Sequence, residues 1–282
     1  MDTVALIQFI NDQHHTTFAL VGPCVGGLQG GAHDLVDLTT GQHVVLKRSF
    51  ADYTPPVIEQ LRTVGYPTPA WLVVGEAPDG TRYVVQAFAA GIPMETLTAE
   101  YLDSIFAINE LQAGINPHAH VDHWSWYARS VVFANESGWA ARIRAYSPNT
   151  AMVLAAMEAA VQPYAHIVLP FADVVHGDFN PDNLLVANGH ITAVIDCTYA
   201  GYGTRVIDLA TLLHYAYAFD YDVNVRQRLY TKSVQIAGRG VLAICLVYRT
   251  MAMLDWAIHR DTSDAVQLYV HAAWDMLNEL QL

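Results

Sequence analysis

The stretch VVHGDFNPDNLLVANGHITAVID, residues 174–196, puts isolated polar side chains at the turns of a segment otherwise made of short apolar runs. Gly177 breaks the first run, which places Asp178 at the end of a predicted strand, facing a turn. Pro181 excludes regular structure from that turn. A carboxylate in this position can orient a hydroxyl group and accept its proton.

The second half of the stretch predicts a β-hairpin. Asn183 comes directly before the run LLVA, and the Asn-Gly pair at 188–189 is a strong hairpin signal between two apolar runs. The hairpin would bring Asp196, at the end of its second strand, beside Asn183 at the start of its first. An amide and a carboxylate side by side offer the oxygen ligands that suit Mg²⁺. Turn formation alone explains any one of these polar residues, but it explains the three together poorly.

Outward from this stretch, the sequence divides into a β-rich first part and a mainly helical second part. Five apolar runs separated by turns predict a five-stranded sheet, at 18–22, 32–38, 43–49, 70–76 and 82–88. One or two helices accompany it, one of them at 54–66. Helical spacing recurs later, at 97–114, 151–164, 204–219, 223–237, 241–259 and 263–280. We therefore expect an α+β fold of two lobes, 1–88 and 89–282, with a hinge near 88–93 and a ligand site in the cleft.

The composition is that of a well-packed globular protein and restricts its partners. Hydrophobic residues make up 53% and charged residues 15% of the 282 residues. The net charge of −13 argues against nucleic acid or an anionic membrane as a partner and would attract cations, including Mg²⁺. The apolar stretch 241–258 contains Arg249 and Asp255, which favours a buried helix over a membrane span. Three widely spaced cysteines and no signal-peptide pattern lead us to expect a cytoplasmic protein.

Three features of the first lobe are compatible with a nucleotide site. The turn GGLQGG, residues 26–31, can let backbone N–H groups approach an anion, although many hairpins use glycines only to turn. Lys47 ends the next apolar strand and can reach phosphates as a point charge, or it can be an edge-strand lysine that discourages aggregation. Glu59, in the predicted helix, can pair with Lys47 or be a solvated helix residue.

The loop HGDFNPDN, residues 176–183, resembles the catalytic loop of aminoglycoside and choline phosphotransferases, the small-molecule relatives of protein kinases. Ile195-Asp196, with AGYG at 200–203 and DLA at 208–210 after it, resembles their metal-binding segment and the helix that follows. GGLQGG, the VVLK strand and the segment GYPTPAWL match the small lobe of this family in the same order. The stretch DNLLVANGHITAVID is similar to phosphotransferases of the hygromycin type.

This resemblance implies a protein-kinase-like two-lobe fold, with a small five-stranded β lobe that includes a helix and a larger helical lobe. ATP, with GTP as the alternative, would bind under the glycines Gly26, Gly27, Gly30 and Gly31. Its adenine would lie against the hinge near Gln86 and Phe88. Lys47 would hold the α- and β-phosphates, and Glu59 would hold Lys47.

The same resemblance implies roles for the second lobe and the hairpin. Asn183 and Asp196 would carry Mg²⁺, and Asp178 would act on the hydroxyl of the acceptor. His176 and Asp208 match family positions that brace the catalytic loop, so we expect them to be structural support.

The acceptor side is the least determined by sequence. Aromatic and acidic residues concentrate at 124–127 and 214–222, as helix-packing core or as the walls of a substrate pocket. Asp220, Asp222 and Asp255 are candidates to receive the ammonium groups of a cationic substrate.

Together these observations predict an ATP- and Mg²⁺-dependent phosphotransferase that modifies a hydroxyl of a cationic small molecule. An aminoglycoside or another cationic antibiotic is the first expectation, which would make the protein an antibiotic-resistance enzyme. Choline, an amino alcohol, a sugar or a cationic peptide antibiotic is an alternative acceptor. A non-catalytic nucleotide-binding sensor, like a pseudokinase, is the alternative from a different class.

Overall fold

The computed structural model describes residues 1–24, 31–49, 55–117 and 120–281. This part of the chain forms ten α-helices and ten β-strands. The helices are α1 (Thr3–His14), α2 (Pro55–Thr63), α3 (Leu102–Glu110), α4 (Trp124–Arg129), α5 (Trp139–Tyr146), α6 (Pro148–Val161), α7 (Val206–Ala218), α8 (Val223–Ala237), α9 (Arg239–His259) and α10 (Ser263–Leu280). The strands are β1 (Phe18–Pro23), β2 (Ala32–Asp37), β3 (His43–Ser49), β4 (Trp71–Glu76), β5 (Arg82–Ala87), β6 (Ile92–Pro93), β7 (Asp173–Val175), β8 (Leu184–Ala187), β9 (His190–Val194) and β10 (Gly201–Gly203). A strand-rich beginning and a helical remainder confirm the α+β class.

Residue contacts divide the chain into two compact units. The first comprises Met1–Pro93 with Asn183–Ala200, and the second comprises Met94–Asp182 with Gly201–Leu282. The sequence predicted two continuous lobes, whereas the structure assigns the hairpin after Asp182 to the first unit. Strand pairing is the reason, because β6 pairs antiparallel with β8 and so joins the hairpin to the first stretch.

The first unit is built on an antiparallel sheet with the strand order β1-β2-β3-β5-β4. Leu6 and Ile10 of α1 share one buried core with Leu35 of β2 and Leu46 of β3. Alternation along each strand directs these residues to a single face of the sheet, which α1 covers. The five predicted strands are therefore confirmed, and α1 and α2 are the helices expected beside them.

The hairpin of β8 and β9 is also confirmed. Leu184 lies opposite Val194 across the antiparallel pair. Asn188 and Gly189 have φ angles of 52° and 74°, the positive values that a type I′ turn requires at both central residues. The local turn chemistry thus sets the register that carries Asn183 and the residues after Val194 to the same end of the hairpin.

The second unit is organised around α9. This helix packs against α5, α6, α7, α8 and α10, and its Leu242, Ile244 and Leu246 are buried. Within the described ranges, α9 is the one helix long and apolar enough to cross a membrane by length and composition, and 78% of that stretch is buried. The burial agrees with the core helix that the sequence predicted at 241–259. A short sheet of β7 and β10 accompanies the helices.

Gly75 in β4 provides a test of packing in the first unit. A Cβ atom at this position would lie 2.4 Å from the hydroxyl oxygen of Tyr83. Tyr83 is 1% exposed, so its ring has no room to swing away. We expect Gly75→Ala to lower the free energy of unfolding by about 1–3 kcal/mol, the usual cost of overpacking a core. Urea unfolding followed by circular dichroism measures this loss.

Gly22→Ala is the matched control in the same sheet, because a Cβ atom at Gly22 meets nothing within 4 Å. Its free energy of unfolding should change by less than about 1 kcal/mol. An equal loss in both variants would contradict the packing explanation.

Candidate active site

Lys47 occupies the middle strand of the five-stranded sheet. Its backbone pairs with Ala32 of β2 on one side and with Val84 of β5 on the other. The neighbouring Leu46 is fully buried in the core, so strand alternation puts Lys47 on the opposite face of the sheet. The alternative role as an edge-strand lysine is excluded by this central position.

The side chain of Lys47 forms an ion pair with Asp196. The distance from Lys47 Nζ to Asp196 Oδ1 is 3.3 Å, and the lysine is largely buried while the carboxylate is 45% exposed. Asp196 follows β9 in the left-handed conformation, with φ of 62°. The hydroxyl of Thr198 donates a hydrogen bond to the same carboxylate oxygen at 2.9 Å. The first unit therefore holds an amine and a carboxylate together at the end of the hairpin.

Asn183 lies at the same end of the hairpin as Asp196. The backbone N–H of Ile195 donates to the carbonyl oxygen of Asn183 at 2.9 Å. An amide and a carboxylate supply the hard oxygen donors that Mg²⁺ prefers, and Mg²⁺ commonly completes its shell with substrate phosphates and water. No group of three or more His, Cys, Asp or Glu that could hold a metal occurs among the described residues. Asn183 and Asp196 therefore have the donor chemistry that Mg²⁺ requires.

Of the predicted phosphate-binding glycines, Gly26, Gly27 and Gly30 lie outside the described residues, and their role stays a prediction. Gly31 is described and directly precedes β2. From Ala32 onward the chain pairs with β3.

The hinge residues and Glu59 take different positions in the first unit. Gln86 is buried in β5, whereas Phe88, just after that strand, is exposed with its ring centroid 6.0 Å from that of His43. Glu59 is exposed on α2. Among the described residues the structure does not bring Glu59 to Lys47, whose ion-pair partner is Asp196.

Asp208 fixes the catalytic loop in the second unit. Its fully buried carboxylate accepts hydrogen bonds from the backbone N–H of His176 at 2.7 Å and of Gly177 at 3.0 Å. The side-chain amide of Gln112 donates a third at 2.6 Å. Burial raises the pKa of Asp208, and His176 and these N–H donors act in the opposite direction. The ring nitrogen Nδ1 of the buried His176 in turn accepts from the backbone N–H of Asp178 at 3.2 Å.

Trp124 packs against the other side of the loop. Gly177 has φ of +86°, and a Cβ atom there would lie 2.3 Å from Trp124 Cζ2. Cβ atoms at Gly201 and Gly203 would also crowd Trp124, at 3.3 Å and 2.7 Å. Three glycines therefore leave space for the Trp124 side chain, whose indole also contacts Tyr248 of α9 edge-on.

Arg249 is a site residue that the sequence reasoning missed. Its Nη2 atom donates to Asp178 Oδ1 at 3.2 Å. The sequence did contain a signal, because an arginine inside an apolar helix requires a partner of opposite charge. Sequence alone could not name that partner, since the two residues are 71 positions apart.

A second carboxylate, Asp182, acts electrostatically on the same region. Partial burial raises the pKa of Asp182, and the negative charge of Asp178 raises it further. Asp182 also contributes to the raised pKa values of Tyr215 and Tyr221, for which burial is the main cause. Tyr215, Phe219 and Tyr221 form a row, with successive ring centroids 5.5 Å and 6.3 Å apart.

Asp255, predicted as a substrate-binding acid, is already paired in the core. It is 10% exposed, and its carboxylate is 2.7 Å from Arg142 Nε and 3.3 Å from His259 Nδ1. The structure argues against its predicted role because both carboxylate oxygens have cationic or polar partners. The sequence suggested this role only because Asp255 is an acid in the acceptor-side half of the chain.

The other two predicted acids lie at the turn between α7 and α8. Asp222 caps α8, and its side chain accepts from the backbone N–H of Asn224 at 2.7 Å. Asp220 is fully exposed and lies 3.3 Å from Arg226. Their predicted contact with a substrate stays a prediction.

Solved structures share this fold along nearly the whole chain. Aminoglycoside phosphotransferase APH(4)-Ia is 15% identical, with a TM-score of 0.72 and coverage of 98% of this chain and 99% of that one. The choline kinase LicA from Streptococcus pneumoniae is 12% identical, with a TM-score of 0.67 and coverage of 98% of each chain. The amicoumacin kinase hAmiN, solved with AMP-PNP, Ca²⁺ and Ami, is 14% identical, with a TM-score of 0.64 and coverage of 99% and 94%. These likenesses confirm the predicted protein-kinase-like two-lobe fold.

The fold and the match of its residues to a family define a class of enzyme, the phosphotransferases that use an alcohol group of a small molecule as acceptor. Residues 35–234 match the model of the phosphotransferase enzyme family, APH. The chain belongs to this family, as the catalytic-loop motif predicted. A search of curated proteins gave no match.

Asp208→Asn tests the anchoring of the catalytic loop. The NH₂ group of asparagine would face N–H groups that now donate hydrogen bonds to the carboxylate. We expect a loss of roughly 2–4 kcal/mol in the free energy of unfolding, because at least one buried donor would be left without an acceptor. Urea unfolding measures the loss, and phosphotransfer activity should fall with the displaced loop.

Asp222→Asn is the matched control for this change. It is the same substitution, but asparagine caps a helix about as well as aspartate, so stability should be nearly unchanged. A similar loss of stability in both variants would show that the buried network around Asp208 is not what anchors the loop.

Proposed function

We propose that this enzyme transfers the γ-phosphate of ATP, with Mg²⁺, to a hydroxyl group of a cationic small molecule, and that the acceptor is an aminoglycoside or another cationic antibiotic. The observation that carries the proposal is the Lys47–Asp196 ion pair of 3.3 Å at the end of the hairpin that also begins with Asn183. A lysine, a carboxylate and an amide in one unit match the needs of a magnesium nucleotide.

Each residue has a defined task in this mechanism. Lys47 binds phosphate oxygens of the nucleotide as a point charge. Asn183 and Asp196 hold Mg²⁺, which when bound neutralises charge on the phosphates. Asp178 orients the acceptor hydroxyl and takes its proton while the hydroxyl oxygen forms a bond to the γ-phosphorus. The bond from that phosphorus to the bridging oxygen breaks, and ADP leaves with the electron pair.

A nucleotide as phosphoryl donor is supported by the solved relatives. One structure of APH(4)-Ia is a ternary complex with ADP and hygromycin B, and hAmiN was solved with AMP-PNP. Phosphoryl transfer depends mostly on positioning and charge neutralisation, and the residue types present here supply both.

The cationic acceptor is supported by charge. The chain carries a net charge of −13, and Asp182 adds a carboxylate close enough to Asp178 for their charges to interact. The aromatic row of Tyr215, Phe219 and Tyr221 offers ring faces that attract ammonium groups. Choline, an amino alcohol and a neutral sugar are the rival acceptors, and only the sugar lacks a cation.

We place the enzyme in the cytoplasm as part of this proposal. Cys24, Cys197 and Cys245 are free thiols, as is usual in a reducing compartment, and Mg-ATP is available there.

A panel of acceptors tests the proposal directly. Release of ADP from Mg-ATP, or of GDP from Mg-GTP, would be measured in the presence of hygromycin B, amicoumacin, choline or glucose. We expect the highest kcat/KM for one of the two antibiotics, with no turnover when Mg²⁺ is chelated. Faster turnover of choline or glucose would move the enzyme to the rival acceptor class. If the protein bound nucleotide but phosphorylated no acceptor, the alternative of a non-catalytic nucleotide-binding sensor would be favoured.

Asp178→Asn and Asp196→Asn separate the two halves of the mechanism. Asp178→Asn should lower kcat by about 10²–10⁴-fold, the usual contribution of a general base, with little change in affinity for Mg-ATP. Asp196→Asn should instead raise the Kd for Mg-ATP, since it removes a carboxylate from the metal and from Lys47. Steady-state kinetics and calorimetric titration measure the two effects.

The control is Asp12→Asn, which removes an exposed carboxylate from α1 and should change neither quantity. If Asp178→Asn abolished nucleotide binding while turnover persisted, the assigned roles would be wrong.

A further inference from the structure

Arg249 is a buried cation in an apolar helix. Its side chain is 11% exposed, on α9, whose apolar stretch is 78% buried. Its guanidinium lies over the ring of Tyr215, with the carbon Cζ 5.9 Å from the ring centroid. A charge in such surroundings is retained only where a partner of opposite sign compensates for the lost hydration.

Asp178 is that partner. Among the described residues it supplies the one carboxylate within ion-pair distance of Arg249, through the 3.2 Å contact between Nη2 and Oδ1. The Nε atom of Arg249 is buried and has no hydrogen-bond partner in the described part of the chain. Burial by itself would lower the pKa of Arg249, but Asp178, Tyr215 and Tyr248 together outweigh it, so the pKa is raised.

The pair is asymmetric in exposure. Asp178 is 37% exposed, while Arg249 is almost covered. The guanidinium therefore reaches the carboxylate from the protein interior, and the carboxylate stays accessible on its outer side. Tyr215 of α7 lies against the guanidinium, and Tyr248 of α9 interacts with its charge.

We propose that Arg249 is a positioning residue that holds Asp178 in the orientation required for phosphoryl transfer. The proposal rests on the proposed function, in which Asp178 accepts the proton of the acceptor hydroxyl. The backbone of the loop is fixed from one side by Asp208, through the N–H groups of His176 and Gly177. Arg249 fixes the side chain from α9, so backbone and carboxylate are held by different elements.

The chemical reason is the narrow tolerance of proton transfer. A general base must lie within hydrogen-bond distance of its proton, and a displacement of about 1 Å can cost about 100-fold in rate. A partly exposed aspartate can adopt several rotamers, and only some of them meet the hydroxyl. The ion pair removes most of that freedom.

Arg249→Met and Arg249→Lys test the proposal. Methionine keeps an apolar side chain of similar length and removes the charge. Lysine keeps the charge but lacks the planar guanidinium group. We expect Arg249→Met to lower kcat by about 100-fold with the KM for Mg-ATP changed by less than about threefold. The kcat of Arg249→Lys should be at least about tenfold higher than that of Arg249→Met.

Turnover would be measured with Mg-ATP and hygromycin B, amicoumacin or choline, using the acceptor that wild type phosphorylates fastest. ATP hydrolysis with water as acceptor would be measured in parallel. The melting temperature of each variant is recorded as well, and Arg249→Lys carries the test if the methionine variant does not fold.

Arg142→Met is the matched control. It breaks another ion pair to α9, between Arg142 Nε and Asp255 Oδ1 at 2.7 Å, without touching Asp178. A positioning role predicts that Arg142→Met lowers the melting temperature but leaves kcat within about twofold. If kcat falls in parallel with the melting temperature in both arginine variants, Arg249 is only structural and the proposal is overturned.

A double-mutant cycle with Asp178→Asn separates the ion pair from the reaction. Each substitution changes the equilibrium constant for unfolding by some factor. We expect the factor for the Arg249→Met, Asp178→Asn double variant to differ at least tenfold from the product of the two single-variant factors, because the two residues are in contact. If the folded Arg249→Met variant kept the wild-type kcat despite this coupling, the positioning role would be refuted and the proposed function would not be affected. A wild type that turns over no acceptor would instead refute the proposed function.

Discussion

The buried carboxylate of Asp208 is the interaction on which the rest of the second unit's site depends. It collects the backbone N–H groups of His176 and Gly177 and the side-chain amide of Gln112 in a region closed to water. Moving the loop would leave these donors without acceptors, and each such buried group costs about 1–3 kcal/mol. Because α7, which carries Asp208, is itself buried over most of its length, the loop takes its rigidity from the helical core.

The requirement that buried charges be paired organises both units. In the first unit, the largely covered Lys47 meets Asp196 at the end of the hairpin. In the second, Arg249 meets Asp178 from the interior of α9. In each pair the cation is the more buried member and the carboxylate the more exposed one. Asp196, expected to bind the metal, and Asp178, expected to bind the acceptor, are therefore each paired with a cation that is more buried than the carboxylate.

Local chemistry explains what the sequence could predict. The Asn188-Gly189 turn specifies a hairpin regardless of its surroundings, and Asp222 and Gly238 bound α8 at the residues predicted. The family motif identified the loop and the metal segment for the same reason, since both are continuous in sequence.

Long-range contacts explain what the sequence could not predict. The partner of Asp178 lies 71 positions away on α9, and no periodicity encodes that distance. Glu59 was assigned to Lys47 by analogy, whereas the described structure pairs Lys47 with Asp196 across a chain separation that no local pattern reveals. The pairing of Asp255 with Arg142 could not be predicted either, because the two residues lie on helices far apart in sequence.

The central place of α9 has a consequence for synthesis on the ribosome. Helices α5, α6, α7 and α8 all precede it in sequence and pack against it, so their inner faces have no covering until α9 has emerged. A nascent chain paused before residue 239 exposes a broad apolar surface, of the kind that promotes aggregation. The core of the second unit therefore cannot be completed until α9 has left the ribosome.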